Sequence, residues 1–213
     1  MSKKYEFTDE TTEVDGHTLH RIRAVRCFSD VKSGDLGGWV EKEENLSQID
    51  DAWIGGNARA FGDAQVYDCA LIYGNAAIYE NAHICEHTIV RDCARIYGVS
   101  KIYGNTIVSD NAKVFENAEV CGNAKVFGNA EICGDAVVKN NEDYIVFKNF
   151  WSSGRYFTWT RSNNMWRVGC FYDTGEELIK KAYNDSERSG REYERVVRYV
   201  ESILEDEKKG GEG

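Results

Sequence analysis

Residues 51–140 form fifteen consecutive hexapeptides without an insertion, most of them readable as N-A-x-V-x-G: NARAFG, DAQVYD, CALIYG, NAAIYE and NAHICE occur in this run. A short fixed period specifies a chain that coils and stacks on itself, because each repeat can bury its apolar positions only against its neighbours. The second hexad position is small throughout, Ala52, Ala58 and Ala64 being typical and Thr88, Ser100 and Thr106 the variants. The fourth is aliphatic from Ile54 to Val138, except at Ala60. Two inward residues separated by one outward residue describe a short strand with a single buried face. The sixth position and the next first position are Gly, Asp or Glu followed mostly by Asn. Such pairs tolerate positive φ and so turn a corner.

The pattern resembles the left-handed parallel β-helix of hexapeptide-repeat proteins, in which three hexads make one triangular coil. The resemblance spans residues 51–140 and implies about five coils, each ~4.8 Å above the last. At the fifth position this chain often carries Tyr, Phe or Cys, where the acyltransferase form of the hexad usually has a small or acidic residue. The expected fold class is mainly β: an N-terminal hairpin and lead-in coil over 1–50, the β-helix over 51–140, and a small α+β module over 141–213. The hairpin reading rests on strands 5–12 and 17–26 flanking Asp15-Gly16, a strong turn signal. In the last segment, residues 144–150, 155–161 and 165–171 read as three strands. Thr174-x-x-Glu177 caps a first helix, and Ser189-x-x-Glu192 reads as the capping box of a long helix over 190–207.

An eighteen-residue coil sorts outward side chains onto three faces. On the first, Trp53, Leu71, Ile89 and Ile107 precede Lys125 in one column, with Tyr73 and Phe127 beside them. Large apolar side chains in an outward column require cover, so Trp53, Leu71, Tyr73, Ile89 and Ile107 are the expected interface. A second copy, as a trimer or dimer, is one solution. The other is the chain's own helix, whose Tyr193, Val196, Val197, Val200, Ile203 and Leu204 share a face; that helix is favoured for part of the stripe. The second face pairs Arg59, Ala77, Arg95, Lys113 and Glu131 with Phe61, Tyr79, Tyr97 and Phe115. The third pairs Gln65, His83, Lys101 and Glu119 with Tyr67, Cys85, Tyr103 and Cys121.

Composition narrows the function classes. The net charge of −10 is spread along the chain, which argues against a duplex-DNA binder needing a basic face. No stretch approaches the ~18 apolar residues of a membrane span, and MSKKYEFTDE lacks an apolar signal-peptide core. The seven cysteines fit a reducing compartment. The expectation is a cytoplasmic protein without membrane contact.

Several residue groups carry candidate chemistry. The acyltransferase analogy points to a histidine base, and His87, replacing a corner Asn, is the candidate; its bland reading is a residue that tolerates the corner's backbone. Cys69 and His87 occupy one corner a coil apart, near His83 and Cys85, yet their spacing matches no zinc motif, so no metal and no cofactor are expected. Cys85 and Cys121 lie two coils, ~9.6 Å, apart, beyond the ~7 Å reach of a disulfide. Trp151, Phe157, Trp159 and Trp166 with Arg155, Arg161 and Arg167 could stack bases and hold phosphates, although a small α+β unit needs such rings for its own packing. Asp68 and Glu86 stack at one corner and Asp92 and Asp110 at another, and carboxylates in such vertical register could imitate a phosphate row.

The segment GDLGGWVEKEENLS, followed by N-A-x-V-Y-G repeats and DYIVFKNFWSSGRYFTWTRSNNMWRVGCFY, is similar to uncharacterised hexapeptide-repeat proteins of gut Firmicutes and their phages, sometimes labelled polymer-forming. That resemblance implies no catalytic residues. The resulting expectation is a non-enzymatic interaction protein with a protein partner, the β-helix being a rigid rod that displays a surface and the aromatic C-terminal module, with Trp151, Arg155, Phe157, Trp159, Arg161, Trp166 and Arg167, making or completing the binding site. In a phage context it would inhibit a host protein such as a defence nuclease through an acidic and aromatic surface. A hexapeptide acyltransferase and a nucleotide-sequestering module are the alternatives.

Overall fold

The computed structural model describes residues 3–210. Each hexad contributes one two-residue strand made of its third and fourth positions, from Trp53–Ile54 to Val137–Val138. Strands eighteen residues apart pair in parallel: Trp53 lies beside Leu71, then Ile89, Ile107 and Lys125. Three parallel sheets result, wound as a left-handed β-helix. The small and aliphatic hexad positions fill its interior, where Ala58, Ile72, Ile84 and Val114 are wholly buried. The interior polar residues are paired: Thr88 with Thr106 through their hydroxyls at 3.2 Å, and Ser100 with the Tyr97 carbonyl at 2.8 Å.

The solenoid has about six turns rather than five. The additional coil lies above the hexads. The strand β3 (Leu36–Val40) pairs in parallel with Arg59–Ala60, and Leu46 bridges Val66. Its register, Trp39 beside Arg59, is offset by twenty residues instead of eighteen, so it carries no hexad signature. Above it, β1 (Tyr5–Val14) and β2 (His17–Ala24) form the expected hairpin, and β2 pairs antiparallel with β3. Asp15 and Gly16 both have positive φ, as the turn demands.

Each corner is turned by one residue. Every sixth hexad position from Gly56 to Gly134 is left-handed, whereas the following Asn position is not. Outside glycine this conformation costs ~1–2 kcal/mol, yet Asp68, Glu80, Glu86, Asp92, Asp110 and Glu116 all adopt it. Their carboxylates supply the offset. The backbone N–H at the sixth position points back towards the preceding coil, where no carbonyl receives it. The acid eighteen residues earlier accepts it instead: Glu80 from Gly98 at 2.8 Å, Glu86 from Gly104 at 2.9 Å, Asp110 from Gly128 at 2.8 Å and Glu116 from Gly134 at 2.7 Å. Asp68 and Asp92 accept from Glu86 and Asp110 in the same way, at 3.2 and 3.4 Å.

Both ends of the coil are closed. At the top, Asn45 donates to the Gly62 and Ala64 carbonyls and Tyr5 to that of Leu46. Lys4 is buried, and its ammonium donates to the Ala52 and Ile49 carbonyls at 2.7 and 3.2 Å. At the bottom the last N–H groups meet side chains: Lys125 finds Asn141, Val137 finds Ser162, and Lys139 and Asn140 share Asp143. Arg161–Asn163 therefore belongs with the solenoid as one compact unit, while the flanking residues 145–160 and 164 onward form a second.

In the second unit the sheet has four strands, not three: Tyr144–Lys148, Tyr156–Thr160, Met165–Val168 and Phe171–Asp173. Thr174 caps α1 (Gly175–Asp185) by accepting from the Glu177 N–H. The long helix α2 (Glu187–Gly210) starts three residues before the expected position. Its opening turn is capped by Ser186, which accepts from the Ser189 N–H at 3.1 Å, so the Ser189 capping box does not start it. Val197 and Val200 are buried in a core with Phe157, Trp159, Trp166, Val168, Leu178 and Ile179, and Tyr193, Val196 and Leu204 pack against it. The helix's apolar face thus serves this unit's own core, which corrects the expectation that it covers the first solenoid face.

Two outcomes test this account. Gly98 has φ +75°, and a Cβ there would meet the Glu116 N and O at 2.5 and 2.7 Å, whereas Gly128, with φ +72°, has nothing within 4 Å. Gly128→Ala should cost ~1–2 kcal/mol and Gly98→Ala about 3 kcal/mol or more by urea unfolding. Burial, reinforced by Arg26, lowers the Lys4 pKa to about 8, from 10.5 when unfolded. Between those values the unfolded chain holds the extra proton, so stability rises with pH there. The melting temperature of the parent should therefore gain on that of Lys4→Met as pH is raised from about 8 towards 10.5.

Candidate functional site

The largest sheet joins β1, β2 and β3 to the five solenoid strands of the second face. Its outward third positions run in register: Arg21 beside Trp39, Arg59, Ala77, Arg95, Lys113 and Glu131. The Arg21 guanidinium lies 5.2 Å from the Trp39 ring centre. The fifth positions place four rings one coil apart. Phe61, Tyr79, Tyr97 and Phe115 stack at 5.1, 4.9 and 4.9 Å with planes within 5° of parallel. That spacing is close to the strand separation, so the eighteen-residue period itself builds the ladder.

The hairpin closes the ladder's upper end. The His17 ring tilts against Phe61 at 5.2 Å. Its Nδ1 pairs with Glu41 at 2.8 Å, and the second Glu41 oxygen accepts the Gly62 N–H at 2.6 Å. Burial pushes the Glu41 carboxyl up, but these two bonds outweigh it and hold it below its ordinary range. The hairpin turn at Asp15 flanks Phe61 and Tyr79, leaving an open groove on each side of the ladder. One groove, of about 370 Å³, is lined by Asp15, Arg59, Phe61, Ala77, Tyr79 and Arg95. The other, of about 350 Å³, shares Asp15, Phe61 and Tyr79 and adds His17, Asp63, Glu80 and Asn81.

The charges in the two grooves are unequal. Among the described residues neither Arg59 nor Arg95 has an ion-pair partner, whereas the neighbouring Lys113 is bound to Glu131 at 2.8 Å and Lys42 to Asp63 at 2.7 Å. Among the described residues the Tyr79 hydroxyl has no hydrogen-bond partner. Burial raises its pKa, with Arg95 pulling it down and Glu80 and Asp15 pushing it up. These residues were visible in the chain as an eighteen-residue column. The groove was not, because it depends on where the hairpin turn comes to rest.

The residues anticipated from the sequence fall elsewhere. Trp53 is covered, its ring edge-on to Phe28 at 5.4 Å, while Leu71, Ile89 and Ile107 are half-buried and Tyr73 and Phe127 are exposed. Phe157, Trp159 and Trp166 are almost wholly buried in the C-terminal core, which corrects their reading as stacking platforms. Trp151 packs on that core, Arg155 is exposed and Arg167 is half-buried. Arg161 lies with the solenoid, donating to the Glu142 carbonyl at 3.2 Å beside Asp143, and is a closing residue of its lower end. Asp68, Glu86, Asp92 and Asp110 are the corner acceptors described above. His87 is exposed, and among the described residues its imidazole has no hydrogen-bond partner to orient it as a base. The strained residue at that corner is Glu86. Among the described residues no group of His, Cys, Asp and Glu could hold a metal ion, and all seven cysteines are free.

No protein-family model matches the chain, and no curated protein is significantly similar to it. No helix among the described residues is long and apolar enough to cross a membrane.

The ladder separates packing from polarity at Tyr79. Tyr79→Ala removes two ring contacts and should cost ~2–3 kcal/mol. Tyr79→Phe removes only a hydroxyl without a partner and should stay within ~0.5 kcal/mol of the parent, both read by thermal melting.

Proposed function

We propose that this chain is a non-enzymatic interaction protein in which the β-helix is a rigid rod presenting its first face to a protein partner. The observation carrying this reading is the in-register column of Leu71, Ile89 and Ile107, half-buried, with Tyr73 and Phe127 exposed beside it. An apolar stripe rimmed by polar side chains on a stiff support is a protein-docking surface. The fifteen hexads contain no inserted loop, and His87 lacks a group to orient it, so nothing favours the acyltransferase reading. The nucleotide-sequestering reading loses its platforms, because Trp159 and Trp166 are core residues.

On the resemblance to phage-borne hexapeptide-repeat proteins, the partner is a bacterial host protein, such as a defence nuclease, and the site of action is the host cytoplasm. The corner carboxylates lend that surface negative charge, although each also accepts a backbone N–H. A pull-down from host lysate with mass spectrometry tests the proposal. One specific protein retained by the parent and lost with Ile89→Glu and Ile107→Glu is the expected result. Equal retention by parent and variants, or turnover of an acyl donor by the pure protein, would overturn it. Light scattering distinguishes self-association: a parent oligomer that Ile89→Glu converts to monomer would assign the face to a second copy.

A further inference from the structure

From the second face we infer a small-molecule site of a different kind: the groove beneath the hairpin turn binds a phosphorylated metabolite bearing hydroxyl groups, of the size of a mononucleotide. The inference is independent of the protein-docking reading, which concerns another face.

Arg59 and Arg95 stand two coils apart, ~9.6 Å at the backbone, on either side of Ala77. The methyl group of Ala77 leaves the space between them open, and the groove holding all three measures about 370 Å³. Two guanidinium groups in one groove repel each other, and a protein surface with 36 acidic side chains has ample means to neutralise them. Lys113 and Lys42 on the same side of the coil are neutralised in this way. Arg59 and Arg95 are not. Asp15, the one carboxylate lining the groove, makes no ion pair with either, and the groove keeps a net positive charge. A phosphate dianion between the arginines satisfies both, each through charge-assisted hydrogen bonds in the geometry for which guanidinium is suited. The Tyr79 hydroxyl, without a partner of its own, lines the same groove and provides a further donor.

The second groove sets the rest of the ligand. It shares the rim of Phe61 and Tyr79 and is lined by Asp15, Asp63, Glu80 and Asn81, groups that accept hydrogen bonds from hydroxyl or amino groups. An anion on one side of the ladder and a donor-rich body on the other describe a sugar phosphate or a nucleoside monophosphate. A free anion would use only half of the site.

Titration calorimetry of the full chain tests this with AMP, glucose 6-phosphate, adenosine and inorganic phosphate. AMP and glucose 6-phosphate should bind with Kd of about 10 µM to 1 mM, inorganic phosphate about tenfold or more weakly, and adenosine not measurably. Arg59→Gln and Arg95→Gln should each weaken AMP at least ~10-fold, and Tyr79→Phe several-fold. Ala77→Glu keeps both cations but places a carboxylate between them, and should abolish binding even if an arginine variant fails to fold. Lys101→Gln, on the third face, should leave AMP affinity unchanged. No heat with either organic phosphate up to about 10 mM, equal affinity for adenosine and AMP, inorganic phosphate as tight as AMP, or AMP binding unaffected by Ala77→Glu would overturn the proposal.

Discussion

The coil depends on carrying its ladder of backbone hydrogen bonds through three corners per turn. Along the flat faces this is automatic, because parallel strands eighteen residues apart exchange N–H and carbonyl groups. At a corner the sixth residue turns left-handed and its N–H points at a place where no carbonyl stands. A glycine there solves the steric problem alone. An Asp or Glu also solves the hydrogen-bonding problem one coil further on, so the acids of one turn stabilise the next. The strain of a left-handed Glu116 and the bond it accepts from Gly134 are two sides of a single arrangement. The corner carboxylates owe their vertical alignment to this role before any surface function.

The same period that pairs backbones also ranks side chains. Whatever stands at one hexad position is held about one strand spacing from its counterpart, without freedom to slide. Rings at the fifth position become a stack, Lys113 and Glu131 become an ion pair, and Arg59 and Arg95 become two cations separated by a methyl group. A rod of this kind has no floppy loop to shape around a ligand. The rod presents fixed columns, and what folds over them is set elsewhere in the chain, here by the hairpin turn at Asp15.

The architecture of the hexads was legible because every inward and corner position repeats a chemical demand: small, aliphatic, able to turn. What lacked a repeat was hidden. The uppermost coil runs through GDLGGWV with a twenty-residue offset, and no period betrays it. In the C-terminal unit, alternation in Tyr156–Thr160 placed Phe157 and Trp159 on one side, but alternation alone does not say whether that side meets helices or solvent. The helices α1 and α2 decide it, and they make the rings core. Ser186 is masked as a cap by Ser189-x-x-Glu192, the stronger local pattern, yet the helical turn begins at Glu187. The groove residues were all in view as a column. Their meaning required the position of Asp15, some sixty residues from Ala77 in sequence.

A parallel coil has no intrinsic stopping point, since its lowest turn offers the same N–H groups that every turn above donates to the carbonyls of the next. Here that edge is blunted by Asn141 and Asp143, and then by Ser162, which reaches Val137 from twenty-five residues later in the chain. The cap is therefore completed only after the strand Tyr156–Thr160 has been made, and until then the Val137 N–H stays open on the lower edge. A chain cut at residue 144 would keep Asn141 and Asp143 but leave that one N–H open. The closing of the rod's lower edge is thus shared between the residues that follow the last hexad and a three-residue detour in a segment otherwise devoted to another fold.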